Sequence, residues 1–200
     1  MISKSVAETV NISIDDPRMV KPQCRSLQPV STEHINPWFS LKNRGGYYTL
    51  EYHQPQVAIL PVVDNHSIVM IRVKRPVLDD TPLELPAGAA DLNETPTETA
   101  ARELKEETGI QIDRIDRFNL LPSIAISPNR YPVLPWIYHI DISQNEFDIR
   151  QQHDEEVTSV ECLKYEEVKS KILNGGIYIS LAIAIVSRFL FSINNIPNDK

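Results

Sequence analysis

Glu103, Glu106 and Glu107 crowd into one short stretch beside Arg102. On a helix, residues three and four apart lie on neighbouring turns of one face, which puts Glu103 beside both of the others. Like charges at that spacing repel, and carboxylates near a helix C-terminus also oppose its dipole. Each effect is worth tenths of a kcal/mol to about 1 kcal/mol. A solvated charged face would tolerate this. So would a bound hard cation, since clustered carboxylate oxygens suit Mg²⁺ or Mn²⁺. The surroundings favour the cation: Arg102 stands beside the cluster, a glycine turn at Gly88 precedes the helix, and Glu94 lies just ahead of its start.

The element that must position these groups is clearly punctuated. Thr95-Pro96-Thr97-Glu98 reads as a capping box with proline at the first helical position, and Gly109 reads as the stop. The spacing predicts a helix over 96–108 with Ala100, Ala101 and Leu104 as its small apolar face. Ahead of it, Leu83-Glu84-Leu85-Pro86-Ala87-Gly88 reads as a short strand ending in a tight turn. Strands are expected over 47–52, 57–63 and 67–73, with Asp64-Asn65 as a turn and 76–82 as a polar loop. Beyond the helix, 110–126, 133–142 and 157–163 read as strands. Residues 165–173 and 177–191 read as helices divided by Asn174-Gly175-Gly176. This is an α/β pattern with a mixed sheet in one domain, 46–193. An extension rich in turn-formers (1–45) precedes it, and a tail (194–200) follows.

The composition excludes several function classes. With 27 acidic against 20 basic residues the net charge is −7, which argues against a general affinity for nucleic acid or anionic membrane. No apolar leader is evident at the start. The most hydrophobic stretch, 177–193, contains Arg188 and is shorter than the roughly 20 residues a spanning helix needs. Two cysteines, Cys24 and Cys162, make no disulfide framework and suit a cytoplasmic protein.

From Gly88 to Ile110 the chain is similar to the Nudix box, Gly-x5-Glu-x7-Arg-Glu-U-x-Glu-Glu-x-Gly-U with U apolar. It matches at every specified position: Gly88, Glu94, Arg102, Glu103, Leu104, Glu106, Glu107, Gly109 and Ile110. The resemblance implies a Nudix α/β/α sandwich that hydrolyses a nucleoside diphosphate linked to another moiety, with Mg²⁺ as cofactor and Mn²⁺ as a substitute. Carried over by position, Glu103 and Glu107 would be the main metal ligands, Glu106 would assist, and the carbonyl of Ala87 would join the metal shell. Arg102 would orient Glu103, and Glu94 would support the loop. The chemistry is consistent: a pyrophosphate is anionic and a poor electrophile until divalent cations neutralise it and activate water.

The flanks resemble the ADP-ribose and nucleotide-sugar pyrophosphatase branch. Val73-Lys74-Arg75 stands where that branch has Gln-aromatic-Arg, so Arg75 is a candidate for the substrate phosphates; the alternative is a solvated arginine at a strand end. His153-Asp154-Glu155-Glu156 matches the branch's late acidic loop, so Glu155 or Glu156 could activate water or bind a further metal, against the alternative of a plain solvated loop. The branch's Ser-Pro-Gly is replaced by Ser123-Ile124-Ala125. Proline and glycine fix or free a backbone, and isoleucine and alanine do neither. The segment is therefore expected to be strand-like, with Ile124 and Ile126 facing one way, and ADP-ribose to be cleaved without high selectivity over other nucleoside diphosphate sugars. The branch also implies a homodimer formed through N-terminal strands.

The five histidines, His34, His53, His66, His139 and His153, show no ligand spacing. Trp38, Phe39, Tyr47 and Tyr48 could stack a base, but core or dimer packing is the expectation for most of them, and core for Trp136. Neither cysteine has the context of a nucleophile. The rival functions are a Nudix hydrolase of another nucleotide, such as a dinucleotide or coenzyme, and a ligand-binding regulator on the Nudix fold. The regulator would be expected to lose the box glutamates and gain a DNA-binding helix-turn-helix, whereas this chain keeps the glutamates.

Overall fold

The computed structural model describes residues 27–194. Cys24, the rest of 1–26, and 195–200 lie outside the described residues. The first described elements are three antiparallel strands, β1 (Val30–Ile35), β2 (Phe39–Arg44) and β3 (Tyr47–Tyr52). They form one sheet that runs across the 45/46 boundary expected between extension and domain: the Gly45-Gly46 turn, with both φ values positive, joins two strands of a single unit.

The main sheet is built around β4 (Gln56–Val63) and β5 (Ser67–Val73). Asp64 and Asn65 turn between them at φ 47° and 52°, a region that Asp and Asn tolerate better than most residues. The other strands are β6 (Leu83–Glu84), β7 (Ala87–Ala89), β8 (Asn119–Leu121), β9 (Trp136–Ile142) and β10 (Val157–Lys164). The order is β10-β5-β4-β9-β8, with β6 on β5 and β7 on β4. Only β4 and β9 pair in parallel, so the sheet is mixed. The helices are α1 (Pro96–Thr108), α2 (Gln144–Asp148), α3 (Tyr165–Leu173) and α4 (Ser180–Asn194).

Strand β4 shows why the result is a sandwich. Side chains alternate across a strand. Val57, Ile59 and Val63 join a core that contains Ala100 and Leu104 of α1, while Ala58, Leu60 and Val62 join one with Val168 of α3 and Ala182, Ile185 and Val186 of α4. Both faces are covered, as the continuous apolar run requires.

Four expectations need correction. The strand predicted over 110–126 shrinks to β8. Ile110 and Ile112 are buried without pairing, Ile115–Arg117 is a 3-10 turn, and 122–125 is irregular. Arg117 spends its guanidinium on Glu146 and the Asp141 carbonyl, and Pro122, Pro128, Pro132 and Pro135 have no N–H for a ladder. For that reason β9 starts at Trp136, not 133. Ile124 is half-buried against the α3/α4 core while Ile126 is exposed, so the two do not share a face. The last helix starts at Ser180, because the Ile177 N–H closes the end of α3 on the Lys171 carbonyl and its side chain is buried.

Candidate active site

The turn at Ala87-Gly88 and the helix α1 meet face to face. The capping box forms as its sequence requires: the Thr95 hydroxyl accepts from the Glu98 N–H at 3.3 Å, and the Glu98 carboxylate accepts from the Thr95 N–H at 2.9 Å. Ala100 and Leu104 turn into the core, and that rotation brings Glu103 and Glu107 against β7. The Ala87 N–H donates to Glu107 Oε2 at 2.7 Å. Gly88 lies so close to Glu103 that a Cβ there would overlap its carboxylate. The box glycine thus lets the acid lie directly against the backbone, and any Cβ there would require the Glu103 carboxylate to shift.

Arg102 binds the other side of the cluster. Its guanidinium donates to both Glu94 oxygens at 3.0 Å, to Glu103 at 2.9 Å, to Glu106 at 2.7 Å and to the Ala89 carbonyl at 2.8 Å. Glu94 also accepts from the Asp91 N–H and the Thr99 hydroxyl. One arginine therefore ties the 88–95 loop to the helix. Arg102 thus bonds Glu103, the residue it is expected to orient, and Glu94 bonds Arg102 in turn.

The charges are unequally matched. Burial works to raise the Glu94 carboxyl, but Arg102, the Asp91 amide and Thr99 bring it below its ordinary value. Glu103 is buried and is raised, with Arg102 only partly offsetting the burial and Glu106 and Glu94 adding repulsion. Glu107 is pushed up to about 8, first by burial and then by Glu103 and Glu84, against the Ala87 N–H and the more distant Arg75. Glu106 turns toward Arg102, and among the described residues no three Asp, Glu, His or Cys side chains stand close enough together to hold a metal ion as they are placed here. Two carboxylates short of positive charge face the backbone at Ala87-Gly88, and hard oxygen donors of this kind are the ones a cation such as Mg²⁺ takes.

Arg75 lies at the same place. It forms a two-pronged ion pair with Glu84 at 2.8 and 2.9 Å, and the carboxylates of Glu107 and Glu156 both act on it. Its side chain remains 42% exposed, so one face is open to an anion. Of the loop acids, Glu156 acts on Arg75 through its charge, and both it and Glu155 are exposed. Glu84 was missed in reading the sequence. The available signal was a lone acid between Leu83 and Leu85 in a strand pairing beside Arg72, with Ile71 opposite Glu84.

The remaining candidates separate from the site. His53 bonds Ser40 and the Pro37 carbonyl, His66 bonds Ser67, His139 stacks on Phe189, and His153 bonds the Asp154 carbonyl. Trp136 is core, as expected. Core packing does not hold for Trp38, Tyr47 and Tyr48, which are exposed on the N-terminal sheet, while Phe39 is half-buried. At Ile124-Ala125 the backbone is irregular, and Arg188 of α4 reaches the Pro122 carbonyl at 2.5 Å.

Residues 52–180 match the NUDIX domain. The chain is 31% identical to the methanol dehydrogenase activator of Bacillus methanolicus over 135 residues, covering 67% of this chain and 71% of that protein. It is 40% identical to the ADP-ribose pyrophosphatase of Bacillus subtilis (strain 168) over 76 residues, 36% of this chain and 41% of that one. Among solved structures, an ADP compounds hydrolase superposes with a TM-score of 0.59 at 16% identity, covering 84% of this chain and 94% of the other. At that identity the likeness is one of fold.

Proposed function

This chain belongs to the NUDIX family, and from that premise we propose that it is a metal-dependent pyrophosphate hydrolase acting on a nucleoside diphosphate linked to another moiety, ADP-ribose or a nucleotide sugar foremost. The observation that carries the reading is the pair Glu103 and Glu107, two carboxylates raised by burial and facing Ala87-Gly88. When bound there, Mg²⁺ neutralises pyrophosphate oxygens and lowers the pKa of the attacking water. Glu103, Glu107 and the Ala87 carbonyl hold the ion, and Glu106 assists. Arg102 fixes Glu103 through its 2.9 Å bond. Arg75 presents its open face to the substrate phosphates. Glu156, or Glu155 beside it, takes the proton from water.

A dinucleotide or coenzyme is the second substrate reading, favoured by the irregular Ile124-Ala125 segment where the branch has Pro-Gly. The test is a panel of ADP-ribose, ADP-glucose, GDP-mannose, UDP-glucose and a dinucleotide, with Mg²⁺ and with Mn²⁺, reading phosphate after coupling to a phosphatase. Hydrolysis that stops in excess chelator is expected, with kcat/KM for ADP-ribose less than roughly a thousandfold above the other sugars, about 4 kcal/mol. Full turnover in chelator rejects the metal site, and a larger preference assigns specificity to another wall. The same reading has the chain as a cytoplasmic homodimer joined through the N-terminal sheet. Ile35, Trp38, Tyr47, Tyr48 and Tyr52 are exposed there, a density of apolar side chains that suits an interface. A monomeric mass by light scattering at micromolar concentration would reject it.

A further inference from the structure

The loop carrying Glu155 and Glu156 is fastened to the catalytic helix by main chain. Carbonyls at a helix C-terminus lack intrahelical partners. The Glu106 carbonyl would be expected to take the Ile110 N–H, but that amide turns to the Thr108 hydroxyl at 3.2 Å. The Asp154 N–H takes its place on Glu106 at 2.8 Å, and the Gln151 N–H donates to the Gly109 carbonyl at 2.8 Å. Residue 109 is therefore asked twice for glycine. Its φ is +75°, and a Cβ built on it would overlap the Gln151 carbonyl group. The first demand is common to helix stops and the second is not. Gly175, just beyond α3, also has a left-handed φ of +80° but has nothing within 4 Å of a built Cβ.

We propose that this pair of hydrogen bonds, Gln151 to Gly109 and Asp154 to Glu106, is the latch that holds the loop carrying Glu156 against the end of α1, and that Gly109 is a positioning residue whose task is to admit Gln151. The inference rests on the reading of Glu156 as part of the reaction. It links two parts of the site through one residue: the Glu106 side chain accepts from Arg102, while the Glu106 carbonyl carries the loop.

Asparagine separates the two demands, because it tolerates the left-handed region yet keeps the Cβ. Gly109→Asn and Gly109→Ala are both expected to lower kcat about a hundredfold, the scale of a misplacement near 1 Å, with KM for the nucleotide near wild type. Gly175→Asn, which meets the φ demand alone, is expected to leave kcat unchanged. Hydrogen exchange supplies the readout that does not depend on turnover. In the wild-type protein without metal or nucleotide, the Gln151 and Asp154 amides are expected to be protected like those of α1, and Gly109→Asn is expected to release them. Loop-like exchange at both amides in the wild type overturns the proposal, and this measurement stands even if the variants fail to fold. Wild-type kcat in Gly109→Asn also overturns it, as does full kcat in Glu156→Gln. A wild-type protein that hydrolyses no member of the panel but protects both amides rejects the hydrolase reading and supports the latch.

Discussion

Glu51 in the N-terminal sheet and Glu107 on α1 are both glutamates shielded from water, and their surroundings drive them in opposite directions. Burial alone would raise Glu51, but hydrogen bonds from Arg44 at 2.6 Å, Lys42 at 2.8 Å and Thr49 at 2.9 Å bring it down to about 2. Glu107 has one backbone N–H and negative neighbours, and burial carries it up to about 8. The difference is in the supply of positive charge. The sheet contains the cations its glutamate needs. The helix does not, because Arg102 is already shared among Glu94, Glu103 and Glu106. A carboxylate that the fold leaves short of charge is the mark of a site meant for a ligand.

The largest effect follows from neutralising each acid in turn. Glu107→Gln should lose about 2–4 kcal/mol of transition-state stabilisation, measured as kcat/KM, because an amide holds a hard cation poorly. Its stability in denaturant should not fall near neutral pH, since the metal-free carboxyl must take up a proton to be buried and the amide need not. Glu51→Gln should do the reverse, losing about 2 kcal/mol of stability with kcat unchanged. A folded Glu107→Gln protein with wild-type rates, or a Glu51→Gln protein that loses turnover, would dissolve the distinction between the two regions.

The Glu107 side of this comparison could be read from residue order because it is made of short-range parts. Thr95, Pro96, Glu98 and Gly109 specify α1 within their own turns, and the i, i+4 spacing then places Glu103 and Glu107 together. The apolar runs of β4 and β5 are visible for the same reason. The Glu51 side depends on pairing: Lys42, Arg44, Thr49 and Glu51 converge only once β2 and β3 are in register. Segment 110–126 misleads because Ile110 and Ile112 are buried as strand residues would be but pair with nothing. Glu84 beside Arg75 and Asp154 beside Glu106 are contacts between distant elements, and no local periodicity announces them.

The two regions also separate by pH. In the protein without metal, Glu107 binds its proton up to about 8 when folded, whereas its ordinary value is 4.5. The native state then holds more protons than the unfolded one between these values, so unfolding free energy should fall as pH rises from 4.5 to 8. Glu107→Gln should flatten that slope. Saturating Mg²⁺ should remove it as well, because the ion binds the folded carboxylate; at a hundred times its dissociation constant it would add about 2.7 kcal/mol. Glu51 has the opposite sign and a different window. Its stabilisation is complete above 4.5 and is lost as pH falls toward about 2. Denaturant titrations across pH, with and without Mg²⁺, measure both. A metal-free slope that rises with pH between 4.5 and 8 would contradict the charge shortage at α1.

The smallest effect comes from making the sheet imitate the helix. Arg44→Met removes the 2.6 Å partner of Glu51 and leaves Lys42 and Thr49 in place. The lost charged hydrogen bond should cost about 1.5 kcal/mol of stability near neutral pH, and the loss should shrink below pH 4.5 as Glu51 protonates in both states. Turnover should not change. Adding Mg²⁺ should not restore the lost stability either. Glu51 is a single carboxylate with Lys42 still on it, and a hard cation needs several oxygens, which α1 supplies through Glu103 and Glu107 on one face. Recovery of the Arg44→Met protein by millimolar Mg²⁺ would mean that one under-supplied glutamate is enough to recruit the ion, and the pairing of Glu103 with Glu107 would no longer explain why the cation belongs at the helix.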